Sequence, residues 1–348
     1  MLPKCFTAEA TVPEEFITVH RPEDARLTVT GTGRFLTKYS RVDLRHIWSQ
    51  AATEALPRVL ESQMSGLRHG LSLLLEPGPN LICSGAEVEV DGIGLHPGSR
   101  KEAYQRLTGP GTWATMSLTV EDWCEYGVAL QGVEPRFLPH GLAIQPPLKP
   151  MRQLRRLLRT IHGMADRQDP VAFEHPQAVH SMETAIIRAA CACFAGQGIS
   201  KTRSAIVNHA SIMRRFANLV EANAETPLYL PDVCVKLAVS VRTLRQCCQD
   251  YYGIGPKRYL LLRRLHLAHR ALLVANDASA QVTAIATQYG FWELGRFSVA
   301  YRHIFGESPR TTLQRRVDPD GTLLPRLYGA PTWLSKTQAP RHHALHPQ

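Results

Sequence analysis

LPDVCVKLAVSVRTLRQCCQDYYG (230–253) and TAIATQYGFWELGRFSVAYRHIFG (283–306) are two versions of one pattern, and their reading decides the fold of the C-terminal third. In the first, Val233, Val235 and Leu237 give a short helix an apolar side, with Pro231 and a capping Asp232 at its start. A tight turn follows, and Ser240 is placed to N-cap the next helix. There Leu244, Cys248 and Tyr251 recur at i, i+4 and i+7 and face inward, which leaves Arg242, Arg245, Gln246 and Gln249 outside. The second stretch again reads as a short helix, a turn at Tyr289–Trp292, and a longer helix with Phe297, Tyr301 and Ile304 as its inner face. At an offset of 53 residues Leu244 aligns with Phe297, Tyr252 with Phe305, Gly253 with Gly306 and Pro256 with Pro309, with one additional residue in the second turn. In each closing segment, GIGP (253–256) and GESP (306–309), Gly ends a helix and Pro opens the next at its first position.

Between the two copies, PKRYLLLRRLHLAHRALLV (256–274) has no internal Gly or Pro over 19 residues. As a helix it spans about 28 Å at roughly 1.5 Å per residue, against roughly 34 Å for one turn of DNA. A connector of that reach suits two exposed helices seated in successive major grooves. Arg can donate bidentately to guanine O6 and N7, and Gln can pair with adenine N6 and N7. An ordinary helical bundle would share the periodicity but would not need exposed Arg and Gln at the start of the first unit's second helix.

The net charge of +10 points the same way once it is located. Residues 201–317 carry 17 Lys and Arg against 7 Asp and Glu, whereas the first 200 residues carry 20 against 21 and the last 31 carry 3 against 2. All the excess positive charge therefore lies in one third, as the phosphate backbone of a nucleic acid would require.

Residues 1–148 are rich in Gly and Pro, with short apolar or alternating runs at LSLLL (71–75), EVEVDGI (87–93) and WATMSL (113–118). These read as short strands of a sandwich or barrel. IQPPLKP (144–150) marks a boundary, after which MRQLRRLLRTIHGMA (151–165) and HSMETAIIRAACACFA (180–195) read as amphipathic helices. They either cover the β domain or pair with a second subunit. The arginines at 152, 155, 156 and 159 read as a solvated face. GQGIS (196–200) reads as a connector.

None of the eight cysteines has the C-x-x-C spacing of a structural zinc site, and several fall on apolar helix positions, so packed free thiols are expected. His96 in GLHPGS lacks the rest of a cupin-type metal pattern and reads as a loop histidine, and Arg34 and Arg100 as surface residues. No metal and no cofactor are expected. No apolar run reaches membrane-spanning length and no signal-peptide core is seen near the start, so a cytoplasmic location is expected.

With these residues in view, LAVSVRTLRQCCQDYYGIGPKRYLLLRRLHLAHRALL (237–273) followed by VTAIATQYGFWELGRFSVAYRHIFGESP (282–309) resembles the two-unit DNA-binding domain of AraC/XylS-type bacterial regulators. The specific elements are S-x-R-T-L at Ser240–Leu244, R-R-L-x-x-A at Arg263–Ala268, I-A-x-x-x-G-F at Ile285–Phe291 and F-G-E-S-P at Phe305–Pro309. This chain departs from the pattern at Ala238, where Gly is frequent, at Gln246 and Val299, where Arg is common, and at Cys248, where an aromatic is common.

The resemblance implies roles for residues at matching positions. Arg242, Thr243, Arg245 and Gln246 would face the first groove, and Glu293, Leu294, Gly295 and Arg296 would form the exposed start of the second recognition helix. Glu293 would accept from a cytosine amino group or cap its helix, Arg302 would contact phosphate, and Arg258, Arg263 and Arg264 would solvate the linker helix.

The expected architecture is α+β. Residues 1–200 form a β-rich effector-sensing domain with dimerisation helices at 151–195. Residues 205–317 form the DNA-binding domain with helix-turn-helix units at 230–253 and 283–306, and 318–348 a weakly ordered tail. The first half is similar in arrangement to the sensing domain of the ligand-responsive branch of that family. It implies a homodimer that binds double-stranded DNA and a small-molecule effector, contacts RNA polymerase and activates a neighbouring operon, with no catalytic residue. Two alternatives stay open: an architectural DNA-binding protein without effector, and a DNA-repair methyl acceptor using an activated Cys.

Overall fold

Residues 111–119 form a strand whose side chains alternate between two buried environments. Trp113 belongs to one apolar cluster, Ala114 and Met116 to another on the opposite face. That alternation organises the first half of the chain, in which one sheet is covered on both faces.

The computed structural model describes residues 4–20, 25–63, 66–99, 102–132, 135, 137, 143–167, 171–195, 204–223, 226, 228–275, 281–315 and 326–328. Strand β1 (Lys4–Ala10) leads into helix α1 (Pro13–His20). Ten strands follow: β2 (Arg26–Val29), β3 (Thr37–Asp43), β4 (Trp48–Glu54), β5 (Arg58–Gln63), β6 (Arg68–Leu74), β7 (Leu81–Cys83), β8 (Ala86–Val88), β9 (Ile93–His96), β10 (Glu102–Leu107) and β11 (Gly111–Thr119). Then come α2 (Val120–Gln131), β12 (Ala143–Ile144), α3 (Leu148–Asp166), α4 (Val171–Glu174), α5 (Pro176–Ala192) and α6 (Ser204–Ala222). The C-terminal helices are α7 (Leu230–Leu237), α8 (Val241–Tyr252), α9 (Pro256–Val274), α10 (Val282–Gln288), α11 (Leu294–Phe305) and α12 (Pro309–Leu313), followed by β13 (Arg326–Tyr328).

The strands make two open antiparallel sheets, of order β12-β9-β6-β11-β4-β3-β1-β13 and β2-β5-β10-β7-β8. Their facing sides enclose Phe6, Tyr39, Leu60, Leu74, Leu107 and Trp113, with Phe16 and Val19 of α1. The outer face of the larger sheet presents Val42, Leu71, Leu73 and Met116 to Leu154, Leu158 and Ile161 of α3 and Ile186 of α5. Each of these aliphatic side chains contributes about 1.5–3 kcal/mol by leaving water. Both amphipathic helices thus spend their apolar faces on their own β sheet. Two of the arginines expected to be solvated are anchors: Arg155 donates to Leu74 O at 3.0 Å and pairs with Asp91, and Arg159 pairs with Glu76.

Two helices interrupt the expected run of strands. In α1 the spacing of Phe16 and Val19 is helical, and Glu15 Oε2 accepts from Thr11 N–H at 2.6 Å. In α2, Thr119 N-caps by accepting from Asp122 N–H at 3.0 Å, and Gly132 closes the helix in the left-handed region at φ 70°. Thr119 and Asp122 were the available signal. His96 is not a loop residue: it lies buried on β9, with Nε2 2.7 Å from Ser72 Oγ. Arg34 is exposed. Arg100 and the connector at 196–200 lie outside the described residues. Of the expected tail, Arg326–Tyr328 pairs with β1, whose edge would otherwise leave backbone groups unpaired. The rest of the tail is outside the described residues.

Candidate nucleic-acid interface

Helix α7 opens after Tyr229 with Pro231 in its first turn, so Asp232 lies inside the helix and does not cap it. Val233, Cys234 and Leu237 are buried, while Val235 points to the opposite side and is 80% exposed. Ala238 ends α7 in the left-handed region (φ 52°, ψ 47°). Ser240 then N-caps α8, accepting from Thr243 N–H at 3.0 Å. Leu244, Cys247, Cys248, Tyr251 and Tyr252 form the inner face of α8.

Arg242, Arg245, Gln246 and Gln249 are exposed, and Thr243 is half-buried. Gln246 donates to Asp250 at 2.8 Å, and Asp250 is held in turn by His209 of α6 at 2.8 Å. The four long polar side chains line a groove of about 940 Å3 together with Lys257 and Arg258 from the start of α9. Its lining includes four cationic side chains and no acidic one.

The second copy follows the same backbone course. Helix α10, a turn with Gly290 at φ 77°, and α11 place Phe297, Tyr301 and Ile304 inward. Glu293 occupies the N-cap position, but its carboxylate makes no cap hydrogen bond and pairs with Arg296 at 2.9 Å. Glu293, Leu294, Gly295, Arg296 and Arg302 are exposed, so every expected residue of this helix lies at the surface.

The linker arginines divide. Arg258 is exposed in the groove. Arg263 pairs with Glu221 of α6 at 2.8 Å, and Arg264 lies 5.0 Å over the Phe291 ring and donates to Gly290 O. The last two serve packing rather than solvation.

The junction between α9 and the β sandwich has no counterpart in the sequence reading. Glu61 of β5, 4% exposed, accepts from Tyr252 Oη at 2.5 Å and Tyr259 Oη at 3.0 Å. The two tyrosine rings stack at 4.1 Å. Arg26 of β2 pairs with Glu61 at 2.9 Å and with Glu221 at 3.0 Å, and so connects to Arg263. Burial, the Glu61 charge and the hydrogen bond to it push the Tyr252 hydroxyl well above its ordinary value, which keeps it a donor.

About two helical turns beyond Tyr259, His266 Nε2 accepts from Val29 N–H at 3.1 Å, and His269 Nδ1 lies 3.2 Å from Glu14 Oε1. Burial pushes His266 down to about 4, against the opposing pull of Glu14. The closing glycines of both copies also meet the sandwich. A Cβ on Gly253 would collide with the Arg106 guanidinium, and one on Gly306 would touch the Gly33–Arg34 backbone at 3.4 Å.

Among the described residues no group of three or more His, Cys, Asp or Glu is placed to hold a metal ion, and no helix is long and apolar enough to cross a membrane.

A family described as a helix-turn-helix domain matches residues 233–315. The probable thc operon regulatory protein of Rhodococcus erythropolis is 39% identical over 103 residues, which is 30% of this chain and 31% of that protein. XylDLEGF operon transcriptional activator 1 of Pseudomonas putida is 33% identical over 115 residues, 32% of this chain and 35% of that protein. The chain thus spans about a third of the length of these curated relatives. Among solved structures, a probable AraC family transcriptional regulator from Rhodopseudomonas palustris CGA009 is 32% identical, with 30% of this chain and 96% of that one covered and a TM-score of 0.28. By the match over 233–315, the C-terminal helical domain belongs to this helix-turn-helix family, and the curated proteins aligned with it are operon regulators.

Proposed function

We propose that this chain is a sequence-specific DNA-binding transcription regulator that activates a nearby operon, with α7–α8 and α10–α11 as two helix-turn-helix units held apart by α9. The observation that carries the reading is the face of α8: Arg242, Arg245, Gln246 and Gln249 stand in solvent beside Lys257 and Arg258, while the opposite face is fully packed. Long donors at the start of a rigid helix read base edges, and the flanking cations take phosphates. The aligned relatives, an operon regulatory protein and an operon activator, agree with it.

In this reading the β sandwich is the controlling domain, and Glu61 and Glu14 are where it grips α9. A small molecule in the sandwich, a homodimer and contact with RNA polymerase complete the proposal. The helices at 148–192 support the fold rather than the dimer, since their apolar faces are already occupied. The thiols weigh against a methyl-acceptor role. Burial pushes Cys83 and Cys193 up to about 12 and Cys191 and Cys247 up to about 11, the reverse of an activated thiolate.

The test is footprinting of the full chain on DNA upstream of the adjacent operon. Base-specific protection in two successive major grooves on one face supports the reading. Equal binding to every duplex would instead indicate an architectural protein.

A further inference from the structure

The two recognition helices present different chemistry at equivalent positions. With the copies aligned at the 53-residue offset, Arg242 corresponds to Gly295, Arg245 to Ser298 and Gln246 to Val299. Three of the four long donors on the first helix are thus replaced on the second by a small or apolar residue, while Gln249 corresponds to Arg302. The exposed side of α11 bears Val299 at 73% exposure and Leu294 at 37%, with Trp292 at 75% just before the helix. Gly295, Arg296, Val299, Ala300 and His303 line a shallow depression of about 410 Å3.

None of the described residues covers this apolar strip, although the inner face of the same helix is packed around Phe297, Tyr301 and Ile304. Cations flank it: Arg302 on the same helix is exposed and has no acidic partner among the described residues, and Arg296 pairs with surface Glu293. An apolar strip inside a cationic rim, at the place where the first copy carries its Arg and Gln, fits a major groove lined with methyl groups. In that groove thymine alone of the four bases offers a methyl, at C5.

Resting on the regulator reading, we infer that the second recognition helix selects thymines by apolar contact, with Val299 and Leu294 against their C5 methyl groups, while the first helix selects purines through Arg and Gln. The DNA site is therefore asymmetric in chemistry. The half under α8 is read by hydrogen bonds. The half under α11 is read by shape and methyl burial, with Arg296 and Arg302 on phosphates.

The experiment starts from a random duplex library selected on the full-length protein. From the enriched site, duplexes are made with each thymine of the second half replaced by deoxyuridine, which removes only the methyl and preserves pairing. Affinity is read by fluorescence anisotropy. Loss of about fourfold per contacted methyl is expected, from the value of burying one such group. In Val299→Ser, an exposed position where folding is not at issue, the same uracil substitution has no further effect.

Enrichment without thymine in the second half, or full affinity for the uracil duplex, overturns this inference while leaving the regulator reading intact. Uracil-insensitive binding that also tolerates Val299→Ser gives the strip to a protein partner instead. A library that emerges unenriched overturns both readings together.

Discussion

Tyr259 donates its hydroxyl to Glu61 Oε1 at 3.0 Å although 198 residues separate the two. The contact ties the linker helix to the smaller sheet. Because Tyr252 and Arg26 converge on the same carboxylate, one side chain holds α8, α9 and β2 together. Any change in the sandwich that moves β5 is felt at the helix that sets the distance between the two copies.

Glu61→Ala is expected to cost about 3 kcal/mol, because it strands two buried hydroxyls and the Arg26 guanidinium. Tyr259→Phe should cost about 1 kcal/mol, since it removes one donor and leaves the rest paired. Calorimetry of Glu61→Ala should also resolve separate melting of sandwich and helices. An unchanged single transition would show that the junction couples nothing.

Substitutions in the groove should separate reading from holding. Arg242→Ala is expected to weaken binding to the selected site about tenfold or more and to relax preference at one base pair. Lys257→Ala should weaken binding to all sequences alike and lower the salt slope by about 1. Gel shifts over a salt series distinguish them. Equal loss of specificity in both variants would contradict this division of labour.

Ala238 sits in the left-handed region, which disfavours any side chain with a Cβ. Ala238→Gly is expected to stabilise the chain by about 1 kcal/mol, the relief of strain outweighing the greater freedom glycine has when unfolded. Urea unfolding gives the sign directly. A lower midpoint would show that the turn carries no strain.

Five histidines are buried among the described residues, and three of them are held neutral by that burial. Burial pushes His20 and His162 down to about 3 and His266 to about 4. Their folded values lie below the unfolded one of about 6.5, so acid protonates the unfolded chain first. The stability they allow is fully present above about pH 6.5 and falls as pH drops toward 4, by about 1.4 kcal/mol per pH unit for each histidine. Urea midpoints measured at about pH 7 and about pH 5.5 should differ accordingly, and His266→Gln should flatten the dependence. A midpoint constant over that range would mean the rings are hydrated.

Much of the C-terminal domain was legible because its determinants are local. Ser240 as N-cap, Gly253 and Gly306 as left-handed terminators and the inward faces Leu244–Cys248–Tyr251 and Phe297–Tyr301–Ile304 all act within a few residues of themselves. Val235 was misplaced because α7 buries a stripe through Val233, Cys234 and Leu237, and successive residues turn by about 100°. Helices α1 and α2 were hidden among short apolar runs, where Gly and Pro spacing suggested turns between strands.

By itself, then, the amino-acid order determined where helices start and stop, which side of each is apolar, and where the positive charge collects, since periodicity and capping need only neighbouring residues. Tertiary structure alone decided what those faces meet. The apolar sides of α3 and α5 found their own sheet, His96 became a buried strand residue, Arg264 took up Phe291, and Glu61 gathered Tyr252, Tyr259 and Arg26. Hydrogen bonds and ion pairs at such separations depend on how sheets and helices pack, and no local pattern records that.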